Sequence, residues 1–195
     1  MLLLLLGLVL FLGIHSVSIV APRWRDAQAA RSPGGWKGVY SVVAAIGLAL
    51  VVVGYGAARQ APVVLWVPPV WSRHLALLLM VPAFVLLLAT YLPGHIRTAT
   101  KHPMLLAVKI WATAHLLANG TLADLVLFGG FLAWAVIDRI AVKRRTGGAS
   151  GPPARPAKPM NDAIAVAGGL ALWALFVFGL HRWLFGVAPL PAISA

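Results

Sequence analysis

The sequence has no cysteine and no glutamate; its only acids are four aspartates, set against sixteen Lys and Arg. Lack of cysteine excludes disulfides, thiolate ligation of any metal and cysteine nucleophiles. No HExxH, HxH or EF-hand pattern is present, so the common zinc and calcium frameworks have no footing. No Ser-His-Asp set can be assembled at one depth. No Gly-rich phosphate loop appears either, because Gly129-Gly130 and Gly168-Gly169 fall inside apolar stretches and read as close-packing residues. Internal repeats, which a transporter would be expected to show, are not evident. Charge itself is scarce: 10% of residues, where a soluble domain carries about a quarter.

What fills the chain instead is apolar. Of 195 residues, 61% are hydrophobic and the mean hydropathy is +0.91, the composition of an integral membrane protein. A net charge of +12 would suggest nucleic acid in a soluble domain, but here the bases fall between apolar runs. They read as topology signals and contacts to anionic lipid, so membrane lipid is the expected partner and nucleic acid is not. A homo-oligomer is a further expectation.

The fold class expected is all-α: a polytopic bundle of about six transmembrane helices in a single domain over 1–195. The spans are drawn at roughly 1–21, 37–58, 73–92, 104–119, 121–142 and 163–186, each near the ~20 residues a bilayer core requires. The opening run lacks a basic n-region and reads as the first span. The fourth and fifth spans are joined by Asn119-Gly120-Thr121, which suggests a helical hairpin. Residues 147–159, GGASGPPARPAKP, read as a flexible linker. Bases concentrate in the first, third and fifth connections, which the positive-inside rule keeps in the cytoplasm, so both termini should face outward. Asp124, or Thr121, should cap the fifth span, and Asp162 the sixth.

Chemistry concentrates in Lys101–Gly120, KHPMLLAVKIWATAHLLANG. Trp111, His115 and Asn119 are spaced i, i+4, i+8 and share one helix face. Of six histidines, only His15 and His115 fall well inside spans; measured from the cytoplasmic helix ends they lie ~9–14 Å and ~17 Å deep. His74 and His181 fall near the outer surface, and His95 and His102 near the inner one. An intramembrane ionisable residue is a functional-site hypothesis by default. The competing reading is a pair of packing histidines with interhelical hydrogen bonds. Two imidazoles are too few for zinc, but they would suit the axis of a b-type haem in an apolar slot. Arg97, Lys101, Lys37 or Arg139 could then meet its propionates. Lys109 lies about 120° around the helix from His115 and reads as a snorkelling base.

Three places carry a family resemblance: GIHS (Gly13–Ser16) with the basic loop after it, the KHPMLL…KIWATAHLLANG segment, and LFGGFLAWAVIDRI (Leu127–Ile140). Their order and spacing resemble the NnrU family of bacterial membrane proteins, whose plant relative is 15-cis-zeta-carotene isomerase. The resemblance implies a bacterial cytoplasmic (inner) membrane protein with periplasmic termini, associated with denitrification through nitrite and nitric oxide reductases. It further implies haem b, because the isomerase is a haem enzyme whose axial histidines are similar in place to His15 and His115. On that reading Trp111 and Asn119 line the pocket, Lys101 or Arg97 sits near the propionates, and His102 donates at the inner edge. Lys101 stands where the family usually has Arg, which turns a bidentate contact into a point-charge contact. Ala112 stands where the isomerase has a cysteine. The alternatives are a haem-dependent cis-trans isomerase of a lipophilic polyene and a non-haem assembly factor. The His-Pro motif also occurs in membrane isoprenylcysteine-type methyltransferases, but their cofactor-binding residues are not recognisable here.

Overall fold

The computed structural model describes residues 1–145 and 156–190. In chain order the helices are α1 (Leu2–Val20), α2 (Pro22–Arg31), α3 (Pro33–Ala58), α4 (Val70–Ala89), α5 (His95–Thr100), α6 (Pro103–Ala118), α7 (Leu122–Arg145) and α8 (Pro159–Leu175). A π-helical turn, Phe176–Leu180, then leads into α9 (His181–Phe185). Proline sets the punctuation. Pro22, Pro33, Pro103 and Pro159 each occupy the first helical position, where a missing N–H costs nothing and the fixed φ suits the helix.

The all-α expectation holds, and five helices are long and apolar enough to cross a membrane: α1, α3, α4, α7 and the continuous run Pro159–Phe185. The remaining apolar helix, α6, has 16 residues. At 1.5 Å per residue it covers about 24 Å, short of a ~30 Å hydrocarbon core. Helices α2 and α5 fall where only loops were expected. The expected linker 147–159 lies mostly outside the described residues, and its last residue, Pro159, already belongs to α8. Large apolar side chains face outward (Val9, Phe178 and Trp183 are 70%, 75% and 79% exposed) while alanines fill the interior. That inversion suits lipid, which rewards close backbone approach rather than burial of leucine.

Two compact units divide the chain: Met1–Trp66 with Gly120–Val142, and Val67–Asn119 with Lys143–Ala195. In the first unit α1 and α3 meet through glycine. A Cβ on Gly7 would fall 2.5 Å from the Val51 nitrogen, and one on Gly47 2.6 Å from that of Phe11. Gly54, one heptad after Gly47, sits as tightly against Leu4. Helix α7 joins this unit through Phe131 on Phe11 and Phe128 on Tyr55, with ring centroids 5.6 and 6.1 Å apart. Its start is capped reciprocally, as Thr121 and Asp124 were expected to do. The Thr121 backbone N–H and hydroxyl donate to Asp124 Oδ2 (2.9 and 2.6 Å), and the Asp124 N–H donates to Thr121 Oγ1 (3.3 Å). The Tyr55 hydroxyl donates to the other oxygen, Oδ1, at 2.5 Å, so a carboxylate only 4% exposed is well supplied with donors. Just upstream, Leu65 and Trp66 donate to the Gly120 carbonyl and Leu122 donates to that of Val63. Any side chain at Gly120 would strike the Trp66 carbonyl.

In the second unit α4 is the hub, packed on α6 and α8. Ala76, Ala83, Ala89, Ala107, Ala114 and Ala165 are buried. Gly169 lies against the Val85 backbone, where a Cβ would fall 2.7 Å from Cα, and Trp173 Nε1 donates to the Leu77 carbonyl at 2.9 Å. Asp162 corrects an expectation. It lies inside α8 rather than ahead of it and caps a different helix. Its carboxylate accepts from the His95 and Ile96 amides at the start of α5 (2.8 and 2.9 Å) and approaches His95 Nδ1 at 2.9 Å. Asn161 Nδ2 and the Lys158 N–H both donate to the Pro93 carbonyl. The cap residue Gly94 is buried against the carboxylate, with no room for a Cβ.

Candidate functional site

In the first unit the candidate is His15, one and a half turns before the end of α1. Its Nδ1 lies 2.6 Å from the Phe11 carbonyl. A carbonyl can only accept, so the proton is on Nδ1 and Nε2 keeps its lone pair. The ring is held among Phe11, Tyr40 and Trp134, with centroids at 4.3, 5.1 and 5.8 Å. The Trp134 indole N–H is buried with no acceptor among the described residues. Beside His15 opens a cleft of about 440 Å³, lined by Ser18, Arg25, Trp36, Lys37 and Tyr40 among others. Helix α2 makes one wall of it: two prolines eleven residues apart, Pro22 and Pro33, bend the chain out of α1 and back into α3, and Arg25 comes with it. Arg25 is partly neutralised by Asp26 at 2.7 Å.

In the second unit the expected helix face forms. His115 Nδ1 donates to the Trp111 carbonyl at 2.8 Å, which sets the same Nδ1–H tautomer as in His15, and the two rings lie 5.3 Å apart. Asn119 ends α6, as its place before Gly120 suggested. Its backbone is already extended there, and its Nδ2 donates to the His115 carbonyl at 2.9 Å, so the amide closes the helix.

The Lys101-His102-Pro103 corner separates α5 from α6. Lys101 closes α5 with φ +62°, the only non-glycine positive φ among the described residues, and is solvent-exposed. A side chain in that region stores about 1–3 kcal/mol of strain. His102 is the half-buried cap residue of α6, and Arg97, half-buried in α5, accepts the Lys101 N–H on its carbonyl. Trp111 and His115 are thus brought together, while Lys101 and His102 stand at the opposite end of the same helix.

His181, expected from sequence near the outer surface, has its ring 6.4 Å from that of His115, with the planes 20° apart. Its Nδ1 donates to the Val187 carbonyl at 2.7 Å, reached because Gly186 ends α9 at φ +71° and turns the chain back. His181 follows directly on the π-helical turn, and such turns are frequent at functional sites. Nothing in the hydropathy pattern marks that turn. No three His, Asp or Glu side chains gather into a metal-binding group among the described residues.

Comparison with curated proteins and with solved structures returned no match. The family model described as NnrU protein matches residues 3–189, which takes in both units and every histidine discussed above. The chain therefore belongs to the NnrU protein family.

Proposed function

We propose that this NnrU-family protein binds haem b in the bacterial cytoplasmic membrane, termini outward, and serves nitrogen-oxide metabolism linked to denitrification. One observation carries the reading: His15 and His115, picked out from sequence as axial candidates, both have Nδ1–H committed to the carbonyl four residues earlier. That bond fixes ring and tautomer and leaves Nε2 as the ligand nitrogen, the usual arrangement of a metal-bound imidazole. The surroundings fit the group as well. The cleft at His15 offers Lys37 and Arg25 for propionates and Trp36 and Tyr40 for a flat apolar ring system; Trp134, whose ring neighbours that of His15, has a buried N–H with no acceptor among the described residues. When bound, haem would supply a redox-active iron; the chain's own part is to orient imidazoles and hold carboxylates.

The test is an absorption spectrum of the detergent-purified protein expressed with ample haem, oxidised and reduced. A Soret band with split α/β bands on reduction, weakened in His115→Ala, is the expected result. A colourless wild-type protein removes the proposal.

A further inference from the structure

Between Arg59 and Arg73 the chain carries no charge, and its only polar side chains are Gln60 and Ser72. Both turn back on their own backbone. Gln60 Nε2 donates to the Gly56 carbonyl at 3.5 Å, and Ser72 Oγ donates to that of Pro69 at 2.7 Å. Residues 61–69 form no helix, since Pro62, Pro68 and Pro69 punctuate them, so the stretch is an extended strap. Along it Val63, Val64, Leu65 and Trp66, and then Val67 and Trp71, are all exposed. An apolar run left open in this way marks a surface made for another apolar phase.

Two observations choose lipid as that phase. Helix α6 has 16 residues and falls about 6 Å short of a hydrocarbon core. With its Lys101 end level with the headgroups, it brings the chain at Asn119–Thr121 to a turn just under them on the other face. Backbone polar groups need partners at that depth. The strap supplies them: the Gly120 carbonyl accepts the Leu65 and Trp66 N–H groups at 2.8 and 3.1 Å, and Leu122 donates to the Val63 carbonyl at 2.8 Å. The second observation is the make-up of the strap. A protein-binding surface keeps a polar rim, which this stretch lacks, whereas tryptophan between flanking bases is the pattern of a membrane–water boundary.

We infer that residues 63–71 are a lipid-binding strap, lying along the membrane with their apolar side chains set into the headgroup–acyl boundary above the α6–α7 turn. The strap lies along the bilayer and not deeper, because irregular backbone facing lipid is not tolerated inside the hydrocarbon. Its part is to complete the layer that α6 leaves short, with or without haem.

The lack of native cysteine makes single-site labelling clean. Val64→Cys and Val67→Cys, each carrying a nitroxide, are reconstituted in vesicles of phosphatidylcholine and phosphatidylglycerol. Val9→Cys, on the outward side of α1, and Lys143→Cys, at the exposed end of α7, serve as references for hydrocarbon and water. Electron paramagnetic resonance then compares relaxation by oxygen, which concentrates in lipid, with relaxation by a water-soluble nickel chelate. Both strap labels should favour oxygen over nickel, less strongly than the Val9 label, while the Lys143 label shows the reverse. A nickel preference like that of the Lys143 label at either strap position overturns the inference by placing the strap in water. Exclusion of both relaxants overturns it too, since the strap would then be covered by protein, either a second copy or another chain. Val63→Cys and Val70→Cys, also at exposed positions, replace any variant that fails to fold.

Discussion

In the first unit the helices touch backbone to backbone, at Gly7, Gly47 and Gly54, and one buried carboxylate, Asp124, ties α3 to α7. In the second unit alanine methyls line most of the interior, one glycine, Gly169, meets the Val85 backbone, and polar tying is done near helix ends by Asp162, Asn161 and Trp173. The first arrangement has no slack, because a glycine contact cannot relax without separating two helices. The second has one such contact, at Gly169, and adds a few polar links. The histidines follow the same division. His15 sits beside a cleft that α2 helps to wall, whereas His115 and His181 lie against each other, with Trp111 and Phe185 alongside.

The contrast can be broken most forcefully at the glycine seam. Gly47→Leu should destabilise the protein by about 3 kcal/mol, the upper part of the usual overpacking range, read as a fall in the unfolding midpoint in detergent. An alanine-to-leucine change at the partly lined α4 face, such as Ala76→Leu, should cost clearly less; equal losses would erase the distinction between the units. Next in size is the buried pair: Tyr55→Phe should cost about 1–2 kcal/mol by removing one donor from a carboxylate that is only 4% exposed. Lys101→Gly should act in the opposite direction, raising stability by about 1 kcal/mol as the positive-φ strain is released. The smallest global effect belongs to Asp162→Ala. Its midpoint should barely move, while hydrogen exchange at the His95 and Ile96 amides becomes faster as α5 loses its cap.

The long spans were legible because hydropathy and length report them directly, and five of the six drawn correspond to helices of crossing length. The Thr121–Asp124 box was legible too, since both halves lie three residues apart. Helix α2 escaped notice because PRWRDAQAAR carries no apolar stripe; the flanking prolines were its only signal. Helix α5 is too short for any periodicity to register. The role of Asp162 could not be read, because its partners lie 67 and 66 residues away. The ring contact of His181 with His115 could not be read for a related reason: a depth counted at 1.5 Å per residue says how far along a helix a side chain sits, and nothing about which way it points after a change of helical pitch.

The five residues Phe176–Leu180 wind one unit wider than the helix on either side of them. Such a turn behaves as a single inserted residue, so removing one amino acid from it would let the segment rewind as ordinary α-helix. Everything downstream would then keep nearly its present placement, whereas rewinding without that loss would swivel it by about 100° and advance it by about 1.5 Å. In that second case His181 would leave the ring it now faces while the hydropathy of the span stayed the same. The one extra residue taken up by that turn thus keeps His181 against the ring of His115.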